Sequence, residues 1–253
     1  MDRLKEEIQS AINVYKSGNF SKAEQISRKL ILVNPKMAFL YNLLGLILVG
    51  QKRFDEAIEC YEKGLKIDPN FAMIYNNLGL LFFDRGPNEN LEKAENYYKK
   101  SISLNEKITE PHTNLGNLYN LLNKHQKAID CHQKAILISP ESPYAYYNLA
   151  NVYMSLGNFG EAKKNLKKSI KLYPDFYLAH RNLSRLIKYT DNDDHFSELK
   201  NIYKDINQKD TEYTMHISFA LAKAYEDIRN FDKSFTFYKK ANSLYRKKIN
   251  FSL

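Results

Sequence analysis

Prolines recur at one phase of a 34-residue period: Pro35, Pro69, Pro140 and Pro174. Two of the gaps are single periods, and the middle one is two periods plus three inserted residues. Small residues keep the same register at Ala23, Ala57, Ala94, Ala128 and Ala162. So do the pairs Leu44-Gly45, Leu78-Gly79, Leu115-Gly116 and Leu149-Ala150. A fixed period of this length marks supersecondary units that cannot bury their apolar faces alone and must stack to do so. Each unit of such an array contacts mainly its neighbours, so there is no single core around which to build a pocket. The functional question therefore moves from catalysis toward surfaces.

Two helices are legible in each unit. In the second, Tyr41, Leu44, Gly45 and Leu48 follow the i, i+3, i+4, i+7 spacing of one helical face. A turn at Gln51-Lys52-Arg53 follows, and Ala57, Ile58, Tyr61 and Leu65 form the face of a second helix. Asp68-Pro69 stops it, because proline cannot continue a helix and biases its predecessor away from the α region. Gly45 and Ala57 are expected where the two helices approach closely, with large residues such as Leu78, Phe82, Tyr98, Leu149, Tyr153 and Leu166 filling the space between. The units run 4–37, 38–71, 72–108, 109–142 and 143–176. The third carries the insertion, at Arg85-Gly86-Pro87-Asn88-Glu89-Asn90, and has Glu106 in its proline slot. A sixth unit starts at 177 and loses the period after Tyr189; a seventh fits 215–248. The chain divides on this reading into 1–190, the regular array with the first helix of the sixth unit at 177–190, and 191–253, an irregular helix pair with the last repeat.

The residues Tyr75, Leu78, Gly79 and Phe82, repeated as Tyr146, Leu149, Ala150 and Tyr153 and followed by the later alanine and closing proline, resemble the tetratricopeptide repeat family. The resemblance covers nearly the whole chain. It implies an all-α fold, a right-handed α-solenoid of antiparallel helix pairs with about seven repeats, whose first helices line a concave groove. Ala11 and Val14 in the first repeat, and His112 and His180 in the first aromatic slot of the fourth and sixth, depart from the pattern.

Bulk properties exclude several alternatives. Nine glycines in 253 residues argue against a loop-rich or all-β chain. The first residues are charged, without the apolar core of a signal peptide. The longest apolar stretch, 39–50, is too short to span a bilayer. A soluble, cytoplasmic protein is the expectation. Cys60 and Cys131 fall two repeats apart at one phase, too far for a bridge, and read as structural thiols. The net charge of +9 is spread along the chain and is a weak argument for a phosphate backbone as partner. The lysine pairs Lys99-Lys100, Lys163-Lys164 and Lys167-Lys168 read as a solvated outer face.

The functional signal is an asparagine just before the leucine of the Leu-Gly pair in four successive repeats: Asn77, Asn114, Asn148 and Asn182. Asn117 and Asn151 sit three residues on and share that helical face. An amide offers an acceptor and two donors, so a row of amides can hold the backbone of an extended peptide whatever its side chains. The row is similar to the asparagine ladder of the tetratricopeptide superhelix of O-GlcNAc transferase. The competing reading is that these amides bond neighbouring helices to each other. The six histidines form no ligand spacing, Asp191-Asn192-Asp193-Asp194 lacks the glycine and glutamate of a calcium loop, and no phosphate loop or nucleophile motif is present. No catalytic residue, metal or cofactor is therefore assigned.

The segment from Tyr189 to Phe235 resembles the stretch that leads into the catalytic domain of bacterial tetratricopeptide sulfotransferases, although no phosphosulfate loop is present. The chain stops at Phe251-Ser252-Leu253 without a polar capping helix, so self-association through an uncapped last repeat is a further expectation. The leading expectation is a non-catalytic scaffold holding a protein or extended peptide in a groove, with no membrane partner and little case for nucleic acid. The alternative is the substrate-recruiting part of a longer transferase, a sulfotransferase ahead of a glycosyltransferase.

Overall fold

The computed structural model describes residues 2–86, 88–205 and 211–249. Among these there are fourteen α-helices and no strand. Five helix pairs follow the expected repeats: α1 (Asp2–Lys16) with α2 (Phe20–Val33), α3 (Ala38–Gly50) with α4 (Phe54–Ile67), α5 (Ala72–Asp84) with α6 (Asn88–Leu104), α7 (Thr109–Leu121) with α8 (His125–Ile138), and α9 (Pro143–Ser155) with α10 (Phe159–Leu172). Then come α11 (Tyr177–Leu186), α12 (Asp194–Asp205), and the last pair, α13 (Thr211–Asp227) and α14 (Phe231–Lys248). The chain forms two compact units, 1–138 and 139–253. The boundary expected at 190/191 falls inside the second, between α11 and α12. Pro87 and the end at Phe251–Leu253 lie outside the described residues.

The turn inside each pair is set by one residue with positive φ. Gly18, Gly86 and Gly157 supply it freely, Asn123 tolerates it, and Lys52 and Arg229 adopt it at φ 64° and 61°. Asn19, Asn158 and Asn230 then cap the second helix, each side chain accepting from the backbone N–H three residues on. The three inserted residues of the third repeat do not lengthen a loop. They extend α6 at its start, making it 17 residues against 14 for α2, α4, α8 and α10. Extension by nearly one turn leaves Ala94 in register and fully buried.

Within a pair, the glycine of the Leu-Gly motif faces one bulky side chain of the second helix. A Cβ at Gly45 would overlap the Tyr61 ring, one at Gly79 would stand 2.6 Å from Tyr98 Cε1, and one at Gly116 would stand 2.6 Å from His132 Cε1. In the fifth repeat Ala150 replaces the glycine and Leu166 replaces the ring, both fully buried. The slot thus exchanges a methyl on one helix for bulk on the other, as a close-packed interior requires. A second small slot lies where the second helix passes the start of the first. Ser101 Oγ donates to the Ala72 carbonyl at 2.7 Å and Ser169 Oγ to that of Pro143 at 2.8 Å, while Gly64 and Ala135 fill the same position.

Repeats are stitched at their junctions. Tyr41 and Tyr75 donate their hydroxyls to the carbonyls of Pro35 and Pro69, each at 3.1 Å. His112 Nε2 lies 3.0 Å from the Glu106 carbonyl and His180 Nε2 lies 2.6 Å from that of Pro174. A carbonyl only accepts, so each Nε2 carries the proton. The two histidines that break the aromatic pattern therefore keep its hydrogen bond. An ion pair also recurs at one phase: Glu24 with Arg53 at 2.8 Å and, two repeats on, Glu95 with Lys124 at 3.7 Å.

The sixth repeat departs from this plan. Its second helix, α12, does not pair with α11; α11 packs on α13 and α10, and α12 packs on α13. Asp193 caps α12, its side chain accepting from the Phe196 N–H at 3.2 Å. A separate core forms there around Tyr189, Phe196, Leu199, Leu221 and Tyr225.

Two expectations test this packing. Gly79→Ala should cost about 1–3 kcal/mol by overpacking on Tyr98. Combined with Tyr98→Leu, it should recover much of that loss, copying Ala150 and Leu166; urea unfolding of the two singles and the double would show strict additivity if the slot were not shared. His132 is fully buried with neither ring nitrogen hydrogen-bonded among the described residues, and burial lowers its pKa to about 4. A lowered histidine pKa means the unfolded chain binds the proton first, so stability is present above pH ~6.5 and is lost as the pH falls toward 4. His132→Phe should remove up to about 3 kcal/mol of that loss in unfolding curves compared at pH 7 and pH 4.5.

Candidate functional site

The asparagine row lies on the first helices of the repeats, and the structure accounts for most of its amides. In unit 1–138, Asn77 Nδ2 donates to Asn42 Oδ1 at 2.8 Å, and Asn114 Nδ2 donates to Asn76 Oδ1 at 3.0 Å. Asn76 Nδ2 in turn donates to Asn77 Oδ1 at 3.3 Å. Asn42, Asn76 and Asn77 are buried, and Asn114 is half-buried. One chain of amides thus runs from α7 across α5 to α3. In unit 139–253, Asn182 Nδ2 donates to Asn151 Oδ1 at 2.8 Å and lies 3.4 Å from the Tyr147 hydroxyl.

A rule emerges from these bonds. In three of the four repeats that carry it, the asparagine before the Leu-Gly pair reaches back to the side chain one slot earlier in the preceding repeat: Asn77 to Asn42, Asn114 to Asn76, Asn182 to Tyr147. That earlier slot holds Asn42, Asn76, Thr113 and Tyr147, an oxygen-bearing residue each time. The recurrence was readable in sequence only by tracking two adjacent slots across the repeat boundary.

The six residues singled out from sequence therefore divide. Asn77 is buried and spends its amide between helices. Asn114, Asn151 and Asn182 are half-buried; Asn114 and Asn151 are each used once laterally and Asn182 twice. Asn148 is half-buried and Asn117 exposed, and neither amide makes a hydrogen bond among the described residues. Lateral bonds fix the rotamers of Asn114 and Asn182; Asn114 keeps a second N–H and its amide oxygen, and Asn182 keeps its amide oxygen. A side chain held in this way loses little further entropy on binding a ligand.

Sequence reasoning passed over Arg181, beside Asn182 on α11. Its guanidinium lies 4.4 Å over the Phe219 ring and Nη1 donates to His216 Nδ1 at 2.9 Å. Burial, and after it the Arg181 charge, holds His216 at about 4, so its ring is neutral and accepts. Tyr177 stacks on the His216 ring at a centroid distance of 5.1 Å. A fixed cation on a first helix gives unit 139–253 a point of attraction for an anionic group.

The thiols carry no chemistry. Cys60 and Cys131 are free, and burial pushes both up, Cys131 to about 11, so neither is a thiolate at neutral pH. Among the described residues no helix is long and apolar enough to cross a membrane.

Tetratricopeptide repeat models match residues 45–86, 72–108, 116–157, 143–176 and 216–248, together well over half of the chain. No curated protein matches the sequence. Solved structures do. A thermophilic TPR protein of Thermus thermophilus is 18% identical, with a TM-score of 0.63 over 72% of this chain and 98% of that one. The pilF protein of Pseudomonas aeruginosa is 16% identical, with a TM-score of 0.66 over 93% and 97%. MamA is 25% identical, with a TM-score of 0.50 over 82% and 98%. The first two likenesses concern the fold alone.

The lateral bonds make a stability prediction. Asn77→Ala leaves Asn42 and Asn76 buried without their partner and should cost about 1–3 kcal/mol in denaturant unfolding. Asn148→Ala breaks no bond among the described residues and should stay within about 0.5 kcal/mol of the parent chain.

Proposed function

Because the chain belongs to the tetratricopeptide repeat family, we propose that it is a non-catalytic protein-interaction scaffold whose first helices hold the backbone of an extended peptide through asparagine amides. The observation that carries the reading is the division among those amides. Asn77 and its partners lock adjacent first helices together, while Asn117 and Asn148 carry whole unused amides at accessible positions. Asn114, Asn151 and Asn182 are aligned by lateral bonds; Asn114 and Asn151 keep a spare donor and acceptor, and Asn182 keeps its amide oxygen. Such groups favour main-chain contacts, which tolerate many side chains, and Arg181 adds a preference for an acidic residue or terminus.

Peptides selected from a displayed random library on the full chain would supply the probe. Asn117→Ala or Asn148→Ala should weaken a selected peptide roughly five-fold each, about one hydrogen bond, with the melting temperature unchanged. A peptide whose affinity ignores both substitutions and the joint replacement of Asn114 and Asn182 would refute the amide reading. Affinity should also fall only modestly with salt, because the contacts are to neutral amides rather than to a phosphate backbone.

A further inference from the structure

The irregular sixth repeat places three metal-ligating side chains together. Ligand atoms of His180, His195 and Glu198 lie within 4.8 Å of one another, the two histidines buried and the glutamate half-buried. His180 comes from α11, while His195 and Glu198 stand three residues apart on α12, one turn of the same face. The imidazoles lie edge to edge and nearly coplanar, their planes 4° apart and their centroids 5.2 Å apart. No ligand spacing in the sequence announces the group, because fifteen residues and the lost helix pairing separate the histidines.

Hydrogen bonds assign the protons. His180 Nε2–H donates to the Pro174 carbonyl, which leaves a lone pair on Nδ1. His195 Nε2 lies 2.9 Å from that Nδ1 and must donate to it, so His195 Nδ1 accepts from the Tyr189 hydroxyl at 2.7 Å. Burial disfavours the charged form of both rings. The row from Tyr189 to Pro174 is satisfied as it stands, and it is also one tautomer away from a chelate. If the His195 proton sits on Nδ1 and is donated to the Tyr189 oxygen, both facing nitrogens present lone pairs. Each ring then has the outer oxygen partner that metal-bound histidines use to fix orientation, Pro174 for one and Tyr189 for the other. Nitrogens on a tetrahedral zinc stand about 3.3 Å apart with lone pairs converging off the line that joins them, so ligation widens the observed contact by a few tenths of an ångström and turns each ring by about 35°.

We propose that His180 Nδ1, His195 Nε2 and a Glu198 carboxylate oxygen form a three-ligand site for a divalent transition metal of the zinc class. Two imidazoles and one carboxylate suit zinc rather than calcium or magnesium, which take oxygen ligands. A cleft of about 400 Å³ bordered by Lys167, Leu183, Asp193, His195 and Glu198 reaches two of the three ligands and gives the ion a way in. Glu198 and Asp175 act on His180 with negative charge, and Lys167 acts on His195 with positive charge. Ligation needs no proton released, since both rings are neutral and only one changes tautomer. The ion would clamp α12 to α11 where helix pairing is absent. The site is independent of the peptide-binding reading.

The test is titration of the metal-free full chain with zinc by calorimetry, with cobalt(II) as a spectroscopic probe. The expected result is one equivalent of zinc per chain, a raised melting temperature, and visible cobalt bands of tetrahedral intensity. Glu198→Gln, at a half-buried position and checked for fold by circular dichroism, should weaken zinc at least ten-fold and alter the cobalt spectrum. His195→Phe should abolish both signals. Absence of saturable zinc binding by the parent chain overturns the site, as does zinc binding of equal strength in Glu198→Gln.

Discussion

Two antiparallel helices can share an interior only if one yields room where the other is bulky, and that exchange at the glycine slot underlies everything else in this chain. Tyr61 over Gly45, Tyr98 over Gly79 and His132 over Gly116 are the same contact built three times. Ala150 with Leu166 is its complement, bulk moved from one helix to the other. The close approach fixes the tilt of each pair, brings the second helix against the start of the first, and lets Ser101 and Ser169 bond carbonyls there. First helices of neighbouring repeats are then near enough for one asparagine to reach the next. The asparagine row is thus a consequence of pair geometry, and a change at Gly79 would be felt at Asn77 and Asn114.

Hydrogen bonds between repeats follow a second rule, that a side chain reaches back by one repeat. Tyr41, Tyr75, His112 and His180 bind the carbonyl that closes the preceding unit. Asn77, Asn114 and Asn182 bind the oxygen-bearing slot of the preceding first helix. A solenoid has only nearest-neighbour interfaces, so recurrent polar contacts of this kind set the register from unit to unit. They also use the buried Asn77 between helices and leave Asn117 and Asn148 without an amide hydrogen bond among the described residues.

The histidines show how one residue type takes its role from its surroundings. His112 stands in for a tyrosine as a donor. His132 stands in for the same residue's ring, with no polar partner among the described residues, and stays neutral because burial penalises its charge. His180 does the first job and adds a lone pair that faces His195. That additional contact exists because α12 abandons the regular pairing, so the break in the period and the histidine pair have one cause.

The repeat and its boundaries were legible in sequence because they rest on local rules. Proline stops a helix, alternation at 3.6 residues makes a face, and small residues recur where backbones meet. The five regular pairs lie where the 34-residue period puts them, and the loss of period after Tyr189 coincides with the loss of pairing. The insertion was located, but its form was not: nothing local says that three residues extend α6 rather than widen a turn. Likewise the sequence by itself determined which asparagines share a phase, since phase is a matter of counting. Only the tertiary structure decided which amides are used up, because that depends on the distance from each to an oxygen on another helix. It alone placed Arg181 over Phe219 and His180 against His195, contacts made across 38 and 15 residues of chain, where no periodicity reaches.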